Sequence, residues 1–267
     1  MIVMLLRSLR QARYLLLGGF TLLCGFQLIL VGQAAEIERT QSFSRMADLL
    51  PGFLQRGLGS KALLLATFKG TVAFGYFHPV VCILVTGMAM YLATEPVHEV
   101  ESGLVDLQLA RAVPRHRLVT RSLLLVLGAL VVSALVMTAG TSLGAVLFDA
   151  AGLGMPTPAV RFWLLLNLIA VGACLGGFAL LVATFSRRWM TAFTTVMLAA
   201  LVAYLIDFLA IGWRPMRMIA WLSPFHYYPA LSVVAGDAAT GRNLSVLFAA
   251  ASIFIALAYW QFQRRDL

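Results

Sequence analysis

EPVHEVESGLVDLQLARAVPRHRLVTR, residues 95–121, is a strongly charged interval set between two apolar runs, and its reading decides the fold. It carries four acidic residues (Glu95, Glu99, Glu101, Asp106) and four arginines (Arg111, Arg115, Arg117, Arg121). The flanking runs, about 70–94 and 122–148, approach or exceed the roughly 20 residues that a helix needs to cross a bilayer. Read as a helix, the interval places Val100, Leu104, Leu107 and Ala110 three or four apart on one side, with Glu99, Asp106 and Gln108 largely elsewhere. Gly103 costs that helix about 1 kcal/mol relative to alanine, and Pro114 ends it. A short amphipathic helix over about 98–111, held between two spans, serves for docking and carries no catalytic constellation.

The remainder of the chain supports a membrane reading. Of 267 residues, 61% are hydrophobic and 12% charged, well above the apolar share of a soluble domain. The formal charge of +9 would suggest nucleic acid in a soluble protein. Here the basic residues sit beside the apolar runs, where they anchor helices and set orientation, so nucleic-acid binding is not expected. Cys24, Cys82 and Cys174 each lie inside an apolar run, without metal-ligand or disulfide spacing.

Upstream of the charged interval, Arg7, Arg10 and Arg13 alternate with Leu5, Leu6 and Leu9, which predicts a short interfacial helix over residues 1–13. The first span follows at about 14–31. A cleaved signal peptide is its rival, with Gly32-Gln33-Ala34 as the small-x-small site, but the apolar run is longer than a usual signal core. Residues 33–69 mix charges with apolar patches and read as an external loop; their five basic residues run against the positive-inside pattern. The second span, about 70–94, contains His78-Pro79, which predicts a kink. An intramembrane histidine is either a packing residue or part of a substrate path, and His78 is carried forward as a candidate.

Downstream, spans are predicted at about 122–148, 162–185, 190–211 and 243–262. Gly140-x-x-x-Gly144 and Gly172-x-x-x-Gly176 predict close helix packing without naming a partner. Asp207 is expected to reach the interface or to pair with Arg214 or Arg217. The external segment 212–242 carries WLSPFHYYPAL at 221–231, which fits a short interfacial or re-entrant hairpin. Phe225, Tyr227 and Tyr228 are its candidate gate residues, with an aromatic belt as the competing reading. Six spans place the basic stretches at 7–13, 111–121, 187–188 and 264–265 on one side; five spans do not.

The order Glu99-x-Glu101-x-Gly103-Leu-Val-Asp106-Leu-x-Leu109, then Val113-Pro-Arg115, resembles the first cytoplasmic loop of ABC-2 type transporter permeases. That loop reads roughly E-x-E-x-G-T-L-E-L-L-L followed by P-V/I-S-R. Here Leu104 replaces the usual Thr, Ala112 the usual Pro, and Pro114 the usual Ser. Leu222-Ser-Pro-Phe225 and the ending Phe262-Gln-Arg-Arg-Asp266 are similar to the same family, as is the N-terminal elbow helix. The resemblance implies one all-α, six-span transmembrane domain over 1–267, in the plasma membrane of a prokaryote with both termini cytoplasmic. It implies an exporter subunit that dimerises with itself or a related permease, contacts lipid, and uses ATP and magnesium bound on separate ATPase subunits. Glu99, Glu101 and Asp106 would meet polar or basic groups of the ATPase, Leu104 and Leu107 would fill its groove beside Gly103, and Arg115 would anchor the loop exit or contact headgroups.

The chain carries no G-x-x-x-x-G-K-[ST] phosphate loop, no H-E-x-x-H and no nucleophile elbow, so it is not expected to be an enzyme, and no metal or cofactor is expected on it. A secondary transporter is the first alternative and requires a polar midplane site, for which His78 is the available residue. A membrane-embedded enzyme is the second and requires reactive residues clustered at one interface.

Overall fold

The computed structural model describes residues 2–40, 67–102, 116–236 and 240–264, and every regular element among them is helical. α1 (Ile2–Arg39) leads into α2 (Phe68–Phe74) and α3 (Pro79–Glu101). Then follow α4 (His116–Leu147), α5 (Pro158–Phe185), α6 (Trp189–Ala210), the short α7 (Arg214–Ile219) and α8 (Ala230–Ala235), and α9 (Thr240–Arg264). Among the described residues, six helical stretches are long and apolar enough to span a membrane: Met4–Arg39, Phe68–Glu101, His116–Leu147, Pro158–Phe185, Trp189–Ala210 and Thr240–Arg264. This is the six-span, all-α architecture expected from the sequence.

Three expected boundaries shift. No break separates residues 1–13 from the first span: α1 runs unbroken for 38 residues, about 57 Å, because neither Gly nor Pro interrupts the join at Arg13-Tyr14. Gly32-Gln33-Ala34 falls within that helix, with Ala34 buried. The second span does not stop at Thr94. α3 passes through Pro96 to Glu101, since helices inside a membrane protein tolerate proline when neighbours enclose the freed backbone. The fourth span starts earlier, with Pro158 opening α5 and Thr157 capping it through the Val160 amide.

α5 forms the centre, with 67% of its most apolar window buried, against 17% for α6 at the edge. α9 lies along α5, and α1 along α4, while α3 touches α4, α5 and α6. The α1–α4 contact explains the first small-residue pair. A Cβ on Gly140 would stand 2.6 Å from the Cys24 carbonyl oxygen, and one on Gly144 2.9 Å from Val31 Cβ. Arg39, in the last turn of α1, donates to the Phe148 carbonyl at 2.7 Å and so satisfies the C-terminal end of α4.

His78-Pro79 produces a full break between α2 and α3. Non-helical backbone at membrane depth requires partners for its carbonyls. Gln27 Nε2 donates to Gly75 O at 2.8 Å, and the Tyr228 hydroxyl donates to Tyr76 O at 3.2 Å. The Tyr76 hydroxyl in turn pairs with Thr141 at 2.8 Å. His78 restarts the helix: its Nδ1 accepts the Val80 amide, and Pro79 occupies the first turn.

Candidate functional site

Two features qualify: the joint where α3 and α4 flank the charged interval, and the cleft between α3 and α6. At the joint, Arg121 is wholly buried and forks onto Glu99, with Nη1 at 3.0 Å from Oε1 and Nη2 at 2.8 Å from Oε2. This is the bidentate geometry in which guanidinium and carboxylate bind best. Glu95, one turn earlier on α3, approaches Arg121 Nη2 to 4.0 Å. Glu99 is turned inward at 1% exposure, with its carboxylate on Arg121.

Glu101 is exposed, as a docking residue requires, yet its carboxylate also accepts the Trp189 backbone N–H at 2.9 Å. The first amides of α6 have no partner within their own helix, and an acidic group at that end complements the helix dipole. The end of α3 thus holds both α4 and the start of α6. Gly103, Leu104, Asp106, Leu107 and Arg115 lie outside the described residues.

The cleft between α3 and α6 holds two cavities towards the end bearing Asp207. One of about 380 Å³ is apolar and bordered by Thr86, Met90, Met197, Tyr204 and Phe225. The other, about 370 Å³, is bordered by Asp207, Tyr204, Phe225 and Tyr228. Of the four candidate path residues, Phe225 and Tyr228 are thus brought together there. Phe225 packs edge-on to Tyr204 at 5.4 Å. His78 is elsewhere, its ring 4.9 Å from both Phe26 and Phe74, in a packing role. Tyr227 donates to Trp221 O at 3.0 Å within the hairpin that follows α6.

That hairpin consists of α7, two short 3-10 turns (Ala220–Leu222, Pro224–Tyr227) and α8, closed by Gly236 at φ +85°. Asp207 does not pair with Arg214 or Arg217. Its Oδ1 lies 3.6 Å from His226 Nδ1, because the Pro224–Tyr227 turn folds back over the end of α6. Burial pushes the Tyr228 phenol well above the ordinary tyrosine range, so it remains a hydrogen-bond donor.

Sequence reasoning missed Gln27, Tyr76, Arg121 and Thr141 as determinants of this arrangement. The available signal was a glutamine in the middle of an apolar span, a costly placement unless a partner awaits it. Among the described residues, no group of three or more His, Cys, Asp or Glu side chains is placed to hold a metal.

No curated protein and no solved structure matches the chain. The family model described as "Multidrug efflux system permease Rv1217c, C-terminal domain" matches residues 9–263. With six described helices long and apolar enough to cross a membrane and nearly its whole length matched, the chain belongs to the family of the C-terminal domain of the multidrug efflux system permease Rv1217c.

Proposed function

We propose that the chain is the permease subunit of an ATP-driven ABC-2 type exporter, moving small molecules outward through the plasma membrane of a prokaryote. Separate ATPase subunits bind on the side carrying the 95–121 interval, and both termini lie on that cytoplasmic side. Two permeases, identical or related, form the full path. The efflux family supports the transport class.

The single observation that carries the coupling reading is the Glu99–Arg121 fork at the root of the charged interval. A displacement of the intervening segment by the ATPase reaches α3 and α4 through one rigid joint, and α6 through Glu101. Glu99 is therefore a positioning residue, while Glu101, Asp106, Leu104, Leu107, Gly103 and Arg115 form or shape the docking surface. Phe225 and Tyr228 border the outer part of the path between α3 and α6.

The test is affinity purification in mild detergent with mass spectrometry of the co-purifying chains. A stoichiometric ATPase whose hydrolysis responds to substitution of Glu101 and Asp106 is expected. A stable, active complex without any ATPase overturns the reading.

A further inference from the structure

α4 and α5 pack tightly where small residues allow it. Leu130 occupies the space beside Gly172, and a Cβ on Gly176 would stand 2.9 Å from Val126 Cγ1. Towards the Pro158 end, α5 carries Ile169, Leu165 and Phe162 instead. There the two helices leave an open groove of about 350 Å³, with Val131 and Leu135 on the α4 side. Leu135 is 64% exposed and Phe162 58%, so the groove opens outward from the bundle.

Arg161 stands at its mouth, in the first turn of α5. Its Nε is shut off from solvent and has no hydrogen-bond partner. The ion pairs among the described residues join Arg121 to Glu95 and Glu99, and His226 to Asp207; none reaches Arg161. Arg161 adjoins the Tyr76 phenol, an uncharged group that already pairs with Thr141. The other polar side chain of the groove, Thr138, is bonded to the Ala134 carbonyl of its own helix.

A cation near the end of a membrane span ordinarily pairs with an anion or reaches a headgroup. The groove decides which partner fits. From Pro158 to Ile169, α5 rises about 16 Å, close to the roughly 15 Å depth of one leaflet of the hydrocarbon core. Below Arg161 the facing walls are apolar, which suits an acyl chain beneath a phosphate. A free anion would gain from Arg161 alone and leave those walls unused. Arg161 also sets the preferred headgroup charge. Guanidinium forks onto phosphate in two bonds, and a zwitterionic headgroup brings its own cation to compete for that phosphate.

We propose that this groove holds one anionic phospholipid from the leaflet at the Pro158 end, its phosphate on Arg161 and an acyl chain between Val131, Leu135, Leu165 and Ile169. The inference does not rest on the transport reading, since binding needs neither a substrate nor an ATPase.

The experiment is native mass spectrometry of the full chain in detergent micelles, titrated with phosphatidylglycerol or with phosphatidylcholine of the same acyl chains. The wild type is expected to take up its first phosphatidylglycerol at a lipid concentration about fivefold lower than its first phosphatidylcholine, equivalent to about 1 kcal/mol. Arg161→Met is expected to abolish that preference. Leu135→Trp fills the groove from its exposed side with the charge intact. It is expected to weaken uptake of the first phosphatidylglycerol comparably, and serves if Arg161→Met does not fold. Glycerol phosphate, which carries the headgroup chemistry without the chains, is expected not to displace the lipid. Equal uptake of the two lipids by the wild type, an unchanged preference in Arg161→Met, or wild-type uptake in Leu135→Trp overturns the proposal. Displacement by glycerol phosphate overturns it too, since the site is then one for a free anion.

Discussion

Arg121 and Glu99, 22 residues apart and on opposite sides of the charged interval, form a fully buried two-bond fork that fixes α3 to α4. Its members are not equivalent. Removing Arg121 takes the two-bond partner from buried Glu99 and the nearby guanidinium from buried Glu95, whereas removing the Glu99 charge leaves Arg121 with Glu95 still 4.0 Å away. Arg121→Met is therefore expected to cost about 3–5 kcal/mol, and Glu99→Gln distinctly less. Thermal unfolding in detergent, followed by size-exclusion fluorescence, checks the order; equal losses would show that Glu95 does not compensate.

Glu101 separates stability from coupling. Glu101→Ala removes the acceptor of the Trp189 amide and is expected to cost about 0.5–2 kcal/mol, as the loss of a helix cap does. Glu101→Lys adds a positive charge at the positive end of α6 and is expected to lower stability further. Both are expected to reduce ATPase stimulation in the purified complex by more than their shifts in melting temperature explain. A full hydrolysis rate in Glu101→Lys would remove this residue from the coupling path.

The break between α2 and α3 is expected to depend on side chains remote in sequence. Gln27→Leu leaves the Gly75 carbonyl without its donor inside the bundle, a loss of about 1–2 kcal/mol. A melting temperature unchanged in Gln27→Leu would mean that water replaces the amide.

Tyr228 links the hairpin after α6 to the same break and carries a pH signature. Its folded-state acidity is weakened by burial, so the phenol ionises more readily in the unfolded chain. The stabilisation is fully present below the unfolded value of about 10 and declines as pH rises from there towards the higher folded value. Tyr228→Phe is expected to lower stability by about 0.5–1.5 kcal/mol at neutral pH and to reduce the alkaline fall. Denaturation midpoints measured across alkaline pH for both proteins test this.

Gly140→Ala places a methyl group 2.6 Å from the Cys24 backbone carbonyl oxygen, closer than a carbon contact allows, so α1 and α4 must shift apart. The expected cost is about 1–3 kcal/mol, typical of overpacking. Gly128→Ala on the same helix, with open space at its Cβ position, is the control and is expected to be neutral or slightly stabilising. Comparable melting temperatures for the two variants would refute the tight α1–α4 contact.

Span number and class followed from local composition. A run of about twenty apolar residues has one low-energy structure in a bilayer, whatever its neighbours, because the backbone must bond to itself. The charged interval and the interruption at Pro79 were legible for the same reason: charge and proline act where they stand. What sequence position alone did not reveal was the use made of the charges. Glu99 reads as a surface residue by its neighbours, yet Arg121 draws it inside; Asp207 reads as an interface residue or a partner for nearby arginines, yet a turn delivers His226.

The sequence by itself determined that the chain carries six segments long and apolar enough to cross a membrane, because burial of an apolar helix in lipid is a property of each segment separately. Only the tertiary structure decided which polar groups meet: Gln27 with Gly75, Tyr228 with Tyr76, and Arg121 with Glu99. The physical reason is directional. Hydrogen bonds and ion pairs depend on helix rotation and on approach within about 3 Å, which apolar patterning does not encode, since lipid and protein interior accept the same side chains.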